Sequence, residues 1–147
     1  HSYAASPIDR FTMVSAAVTD IPNLEATDIE IQAGGTNFTL DTLRTLKSNM
    51  PDANFSVIIG ADQLEKLPRW QRIEDLVKET EFIVLARPGH PLSPPTELPD
   101  LRMRSFNTRE FKVSSSEVRN RIRDHLPIQE LVPTPVAAII TQRKLYR

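Results

Sequence analysis

The stretch "FSVIIGADQLEKLPRW", residues 55–70, decides how the rest of the chain is read. It opens on a short, continuous apolar run ended by Gly60, the pattern of a central strand in a parallel sheet with both faces covered. A glycine at the carboxyl end of such a strand lets a ligand approach the backbone. Asp62, just beyond it, falls in the crevice where open parallel sheets bind their ligands. The only tryptophan, Trp70, follows eight residues later in a polar loop, behind Pro68 and Arg69. An aromatic ring there can stack on a flat heterocycle or simply fold onto the domain edge.

Outward from this stretch, helix and strand patterns alternate. "EFIVLARPG" (81–89) is a second buried strand, halted by Pro88 and Gly89, and "RIEDLVKET" between the two is a helix with Ile73, Leu76 and Val77 inward. Upstream, "NFTLDTLRTLKSNMP" predicts a helix with Leu40, Leu43 and Leu46 inward, capped by Asn37 or Thr39 and stopped by Pro51. "TDIEI" (27–31) alternates like a strand. "SPIDRFTMVSAAV" predicts a helix capped by Ser6, with Pro7 in its first turn, Asp9 three residues after the cap, and Ile8, Phe11, Val14 and Val18 inward. Downstream, "RPGHPLSPPTELPD" is too proline-rich for regular structure, and "LRMRSF" and "FKV" are weaker strand candidates. "SSEVRNRIRDHL" and "TPVAAIITQRKLYR" predict two closing helices, the latter capped by Thr134 with Pro135 in its first turn and a solvated, basic end. Such alternation predicts an α/β fold with a mainly parallel sheet flanked by helices. The series opens on a helix, so the first strand of such a sheet is expected to be absent, and the start at His1 rather than a methionine fits that expectation.

The 147 residues are expected to form one domain. A 39% hydrophobic and 25% charged composition is ordinary for a globular protein, and no apolar run nears the length of a membrane span. The formal charge of −1 gives no general attraction to nucleic acid or to an anionic membrane, so an anion site has to be local. The absence of cysteine excludes disulfides, thiolate metal sites and a cysteine nucleophile, and fits a cytoplasmic location.

A local anion site is offered by "FKVSSSEVRNRIR" (111–123). Ser114 and Glu117 have capping-box spacing, and Val118, Ile122 and Leu126 form an inward stripe. Capping needs one hydroxyl, yet three serines stand here. Ser115 and Ser116, the first-turn amides and Arg119 leaning back toward them can hold a phosphate, or the segment can be a plain serine-led cap. Arg87 ends the second buried strand, where a guanidinium calls for a ligand or an acidic neighbour. His90 and His125 read as loop and helix-surface residues, with no metal-ligand or triad spacing.

In this order, "NFTLDTL", "IIGADQLEKLPRW", "VLARPG" and "VSSSEVRNRI" resemble the bacterial nicotinate-nucleotide adenylyltransferase family. Its patterns run close to S-Y-T-x-D-T-L, G-x-D with a tryptophan eight residues beyond the aspartate, R-P-G, and I-S-S-T-x-I-R. The ending "LVPTPVAAIITQRKLY" is similar to the family's closing segment, so the likeness covers almost the whole chain. The resemblance implies a Rossmann-like nucleotidyltransferase fold and adenylyl transfer from ATP to nicotinate mononucleotide in NAD biosynthesis. It implies that Thr39, with the backbone around Phe38, holds the nicotinate carboxylate, helped by the Gln71 amide. Trp70 would stack on the pyridine ring, and Asp62 would contact the ribose or organise the crevice. Ser115, Ser116 and Arg119 would bind ATP phosphates, Arg87 would line the nucleotide side, and Mg²⁺ would ride on the ATP with few protein ligands.

Phe38 stands where the family has tyrosine, and His1 aligns with the histidine of its P-P-H-K segment. The family's opening G-G-x-F-x-P-x-H-x-G-H, which supplies its catalytic histidines, has no counterpart here, so the chain is expected to be an N-terminally truncated fragment, weak in catalysis by itself. Two alternatives stay open. One is a related nucleotidyltransferase acting on pantetheine phosphate or nicotinamide mononucleotide, although Trp70 with Thr39 argues against pantetheine. The other is a nucleotide-binding module without catalysis. The oligomeric state is left open.

Overall fold

The computed structural model describes residues 4–109 and 111–147, and its contacts divide the chain into two compact units, one of segments 1–34 and 112–147, the other of Gly35–Phe111.

The second unit holds the sheet. Helix α3 (Thr39–Asn49) precedes β1 (Ser56–Gly60). The short α4 (Ala61–Leu64), a 3₁₀ turn (Leu67–Arg69) and α5 (Ile73–Glu79) then lead to β2 (Glu81–Leu85), and β3 (Met103–Phe106) follows the proline-rich loop. The three strands are parallel in the order β1-β2-β3, with Gly60 level with Leu85, and Leu85 with Phe106. The two apolar runs became adjacent parallel strands, but β2, not β1, is the middle strand among the described residues. The expectation that β1 is central with both faces covered is corrected, since β1 stands at the sheet's end and its Ile58 is 63% exposed. Val84 and Phe82 on β2 are fully buried with Leu40 of α3, Leu67 of the 3₁₀ turn and Leu76 of α5. Thr80 is the one buried polar side chain among the described residues, and its hydroxyl donates to the Phe55 carbonyl at 2.8 Å, fixing the entry to β2 against the entry to β1. The proline-rich loop is turns and irregular chain, anchored by buried Leu98.

The first unit contains α1 (Pro7–Val18), α2 (Ile29–Ala33), α6 (Ser115–Arg123) and α7 (Thr134–Gln142). Its core gathers Val118 and Ile122 of α6, Val136 and Ile140 of α7, Ile128 and Leu145. The Ser6–Asp9 capping box on α1 forms in full, with Pro7 in the first turn.

Several expectations are corrected. "TDIEI" is not a strand: residues 29–33 make α2, tied by the Gln32 amide donating to the Asp28 carboxylate at 2.9 Å and ended at Gly34 with φ 68°. Five alternating residues do not separate a strand from a helical turn. "FKV" (111–113) is irregular. On α1 the face is rotated, with Met13 and Ala17 packed on the core while Ile8 and Val14 are exposed. Leu126 is exposed because α6 stops at Arg123 and His125 turns back with φ 55°, which also puts His125 beyond the helix. Neither Thr39 nor Thr134 caps: Phe38 and Pro133 hold those positions, with no side-chain cap bond. The basic end after Gln142 is not simply solvated, since Leu145 is buried and Arg143 pairs with Asp9 at 2.7 Å.

Candidate functional site

In the sheet unit, Gly60 is the last residue of β1 and the chain passes straight into α4, which carries Asp62 in its first turn. Arg87 lies two residues past the end of β2, the neighbouring strand. Its guanidinium Nε reaches the Asp62 carboxylate at 3.2 Å, so the acidic neighbour expected for Arg87 is Asp62. The pair stands directly over Gly60. A β-carbon at that position would lie 2.6 Å from Asp62 Oδ1 and 3.0 Å from Arg87 Nε, so only glycine leaves room for this arrangement. An anion-and-cation pair at the carboxyl ends of parallel strands can accept from ribose hydroxyls on one side and donate to phosphate oxygens on the other.

Trp70 closes the 3₁₀ turn, its amide donating to the Leu67 carbonyl at 3.0 Å. The ring is half-buried and meets Phe82 edge-on, centroids 6.4 Å apart at 68°. The sequence placed it in a polar loop; it belongs to a short ordered turn on the core's margin. Gln71 is exposed beside it, and Phe38 and Thr39 sit at the start of α3, where Phe38 is the N-cap and makes no side-chain cap bond. Sequence reasoning missed Arg72 and Asp41. Arg72 has a left-handed backbone, φ 53°, and its guanidinium pairs with Asp41 in the first turn of α3. Backbone hand at a non-glycine residue leaves no mark in composition, so only the quoted "TLDTL" aspartate could have hinted at it. His90 was read as a loop residue, and its Nδ1 is buried 3.3 Å from the Glu65 carboxylate without a hydrogen bond.

In the other unit, Ser114 caps α6, its hydroxyl accepting from the Glu117 amide at 3.1 Å. Glu117 turns to Arg121 at 3.5 Å rather than back to the cap. Ser115 and Ser116 are exposed in the first turn, and Arg119 donates to the Ser116 hydroxyl at 3.0 Å. This contact holds the guanidinium toward the start of the helix. His1 lies outside the described residues.

The chain's relatives bear on what these groups serve. The cytidylyltransferase-like family model matches residues 4–121. A protein of Opitutus terrae named "Probable nicotinate-nucleotide adenylyltransferase" is 35% identical over 143 residues, covering 97% of this chain and 73% of its own length. A Herpetosiphon aurantiacus protein of the same name is 35% identical over 147 residues, covering 97% and 74%. The chain belongs to the nicotinate-nucleotide adenylyltransferase family. The family's fold is seen in a solved structure, the Plasmodium falciparum nicotinic acid mononucleotide adenylyltransferase complexed with NaAD. It matches with a TM-score of 0.75 at 21% identity, over 95% of this chain and 73% of that one. The Rossmann-like nucleotidyltransferase fold expected from the sequence is therefore the fold of this family member, a nucleotidyltransferase. Among the described residues, no helix is long and apolar enough to cross a membrane.

Proposed function

We propose that the protein transfers the adenylyl group of ATP to nicotinate mononucleotide, giving nicotinate adenine dinucleotide and pyrophosphate in NAD biosynthesis. The observation that carries this reading is the 35% identity, across almost the whole chain, to relatives of that name. The Asp62–Arg87 pair over Gly60 and the Ser116–Arg119 contact on α6 supply chemistry suited to it.

In this reading Trp70 stacks on the pyridine ring, and the amides at Thr39, next to Phe38, and at Gln71 take its carboxylate. Asp62 accepts from the ribose hydroxyls. Arg87 lines the nucleotide side, and Ser115, Ser116 and Arg119 hold ATP phosphates. The mononucleotide phosphate attacks the α-phosphorus in line and pyrophosphate leaves. No covalent enzyme intermediate is required, so hydroxyls, guanidinium groups and a stacking ring contribute by positioning and charge neutralisation. Among the described residues no cluster of three His, Asp or Glu side chains is disposed to cage a metal ion, and the donors assigned to the phosphates are hydroxyls and guanidiniums. This set suits Mg²⁺ carried in on the triphosphate, where it supplies further neutralisation of phosphate charge. The lack of cysteine suits a cytoplasmic setting, and the charge of −1 favours small nucleotides over nucleic acid as partners.

The test is direct. The protein, expressed from its whole reading frame, is incubated with ATP, Mg²⁺ and nicotinate mononucleotide, and the products are followed by chromatography and pyrophosphate release. Nicotinate adenine dinucleotide is expected. Equal or faster turnover of nicotinamide mononucleotide would reject the preference for the acid, and no dinucleotide from either acceptor would reject adenylyl transfer.

A further inference from the structure

We infer that Arg72 is a positioning residue, whose ion pair with Asp41 fixes the Trp70–Gln71 segment against the start of α3, where Phe38 and Thr39 stand. The inference rests on the reading above for its ligand, the pyridine end of nicotinate mononucleotide. Its structural basis is independent of that reading.

Arg72 adopts φ 53° and ψ 36°, a left-handed conformation that costs free energy for any residue with a β-carbon and is cheapest for glycine, asparagine or aspartate. Its main chain gives no reason for arginine. The Arg72 carbonyl accepts from the amides of Asp75 and Leu76, both at 3.1 Å, and so starts α5, a task glycine performs as well. The side chain supplies the reason: Arg72 Nη2 lies 2.5 Å from Asp41 Oδ2, across 31 residues of sequence. Both partners are about half exposed, 41% and 55%, and an exposed pair adds little to folding stability. A strained backbone that serves a pair of little stabilising value points to function rather than to the fold.

The surroundings define what the pair controls. On one side, Trp70 is held by its amide bond to Leu67 and its edge contact with Phe82. On the other, α5 begins. Gln71 lies between two fixed points, and Arg72 ties the second of them to the first turn of α3. The far end of α3 is tied separately, Arg44 and Lys47 both reaching Glu79 at the end of α5. Loss of the Arg72–Asp41 pair therefore frees the front of the two helices and leaves their rear joined.

The experiment compares Asp41→Asn, Arg72→Gly and the charge-swapped Asp41→Arg/Arg72→Asp, in which aspartate tolerates the left-handed position. Trp70 is the only tryptophan, so acrylamide quenching of its fluorescence in the ligand-free protein reports on this segment without any assay of activity. In the two single variants, quenching is expected to steepen, KM for nicotinate mononucleotide to rise about tenfold, and KM for ATP to hold within about twofold. The swapped pair is expected to recover most of both losses. Unchanged quenching with unchanged KM overturns the inference, as does an equal rise in both KM values or a fall in melting temperature with KM intact. If the wild-type protein makes no dinucleotide, the functional reading fails by itself, and the quenching comparison alone decides the role of Arg72.

Discussion

Gly60→Ala separates folding from ligand positioning at one atom. The Gly60 backbone, φ −80° and ψ 157°, is open to alanine, so nothing in the main chain resists the change. The new methyl meets only side chains: Asp62 Oδ1 at 2.6 Å and Arg87 Nε at 3.0 Å, where ordinary contact begins at 3.4 Å. Asp62 has to retreat by about 0.8 Å and Arg87 by about 0.4 Å. Two effects on folding oppose each other. Alanine restricts the unfolded chain, a gain of about 0.4–1 kcal/mol, while the disturbed ion pair, 64% exposed at Arg87, contributes little that can be lost. Net stability is therefore expected to move by less than about 1 kcal/mol, or roughly 2–4 °C in melting temperature. Positioning is less forgiving, because a shift near 1 Å in a group that orients substrate costs ten- to a hundredfold in rate. Melting is measured by circular dichroism, and kcat/KM for nicotinate mononucleotide by dinucleotide formation. A variant with full kcat/KM would show that the place of Asp62 is not used in turnover. A melting temperature lower by about 10 °C would show that the backbone yields instead of the two side chains, which removes the steric account.

Other perturbations test separate parts of the structure. Trp70→Ala is expected to raise KM for nicotinate mononucleotide at least about tenfold with little change for ATP, and Arg119→Ala to do the reverse; parallel losses for both ligands in both variants would refute the assignment. Thr80→Val leaves the partly buried Phe55 carbonyl without its 2.8 Å donor and is expected to cost about 1 kcal/mol in urea unfolding; an unchanged midpoint would refute that. The Arg44 guanidinium, hydrogen-bonded to Glu79, holds that carboxyl below the usual glutamate range, with Lys47 adding to the effect. Its contribution is thus present above the ordinary glutamate value and lost as pH falls through the lowered folded one. Arg44→Ala is expected to melt slightly below wild type at pH 7, with the gap closing as pH falls below the ordinary glutamate value and through the lowered one; a gap that widens toward acid would overturn the sign.

The legible parts of the fold were those where local pattern and burial coincide. Two glycine- or proline-ended apolar runs became parallel strands, and the Ser6–Asp9 capping box closes within three residues of sequence, so both could be read locally. Illegible parts were decided by tertiary contact. The core chose Met13 and Ala17 over Ile8 and Val14 on α1, and His125 reversed the chain before Leu126 could continue the α6 stripe. For the candidate site, Asp62, Arg87 and Ser116 could each be singled out by residue type and place in an element. That Asp62 binds Arg87, or that Arg72 binds Asp41, depends on distances across 25 and 31 residues that no local spacing encodes.

The ion pairs joining α3 to α5 lie at the surface, with side-chain exposures from 27% to 55%. Attraction between charges in water is damped over about 8 Å at physiological ionic strength and over about 3 Å at 1 M salt. Added salt is therefore expected to weaken the links between the two helices before it touches the apolar core beneath them, so ionic strength sets how firmly the front of α3 is held.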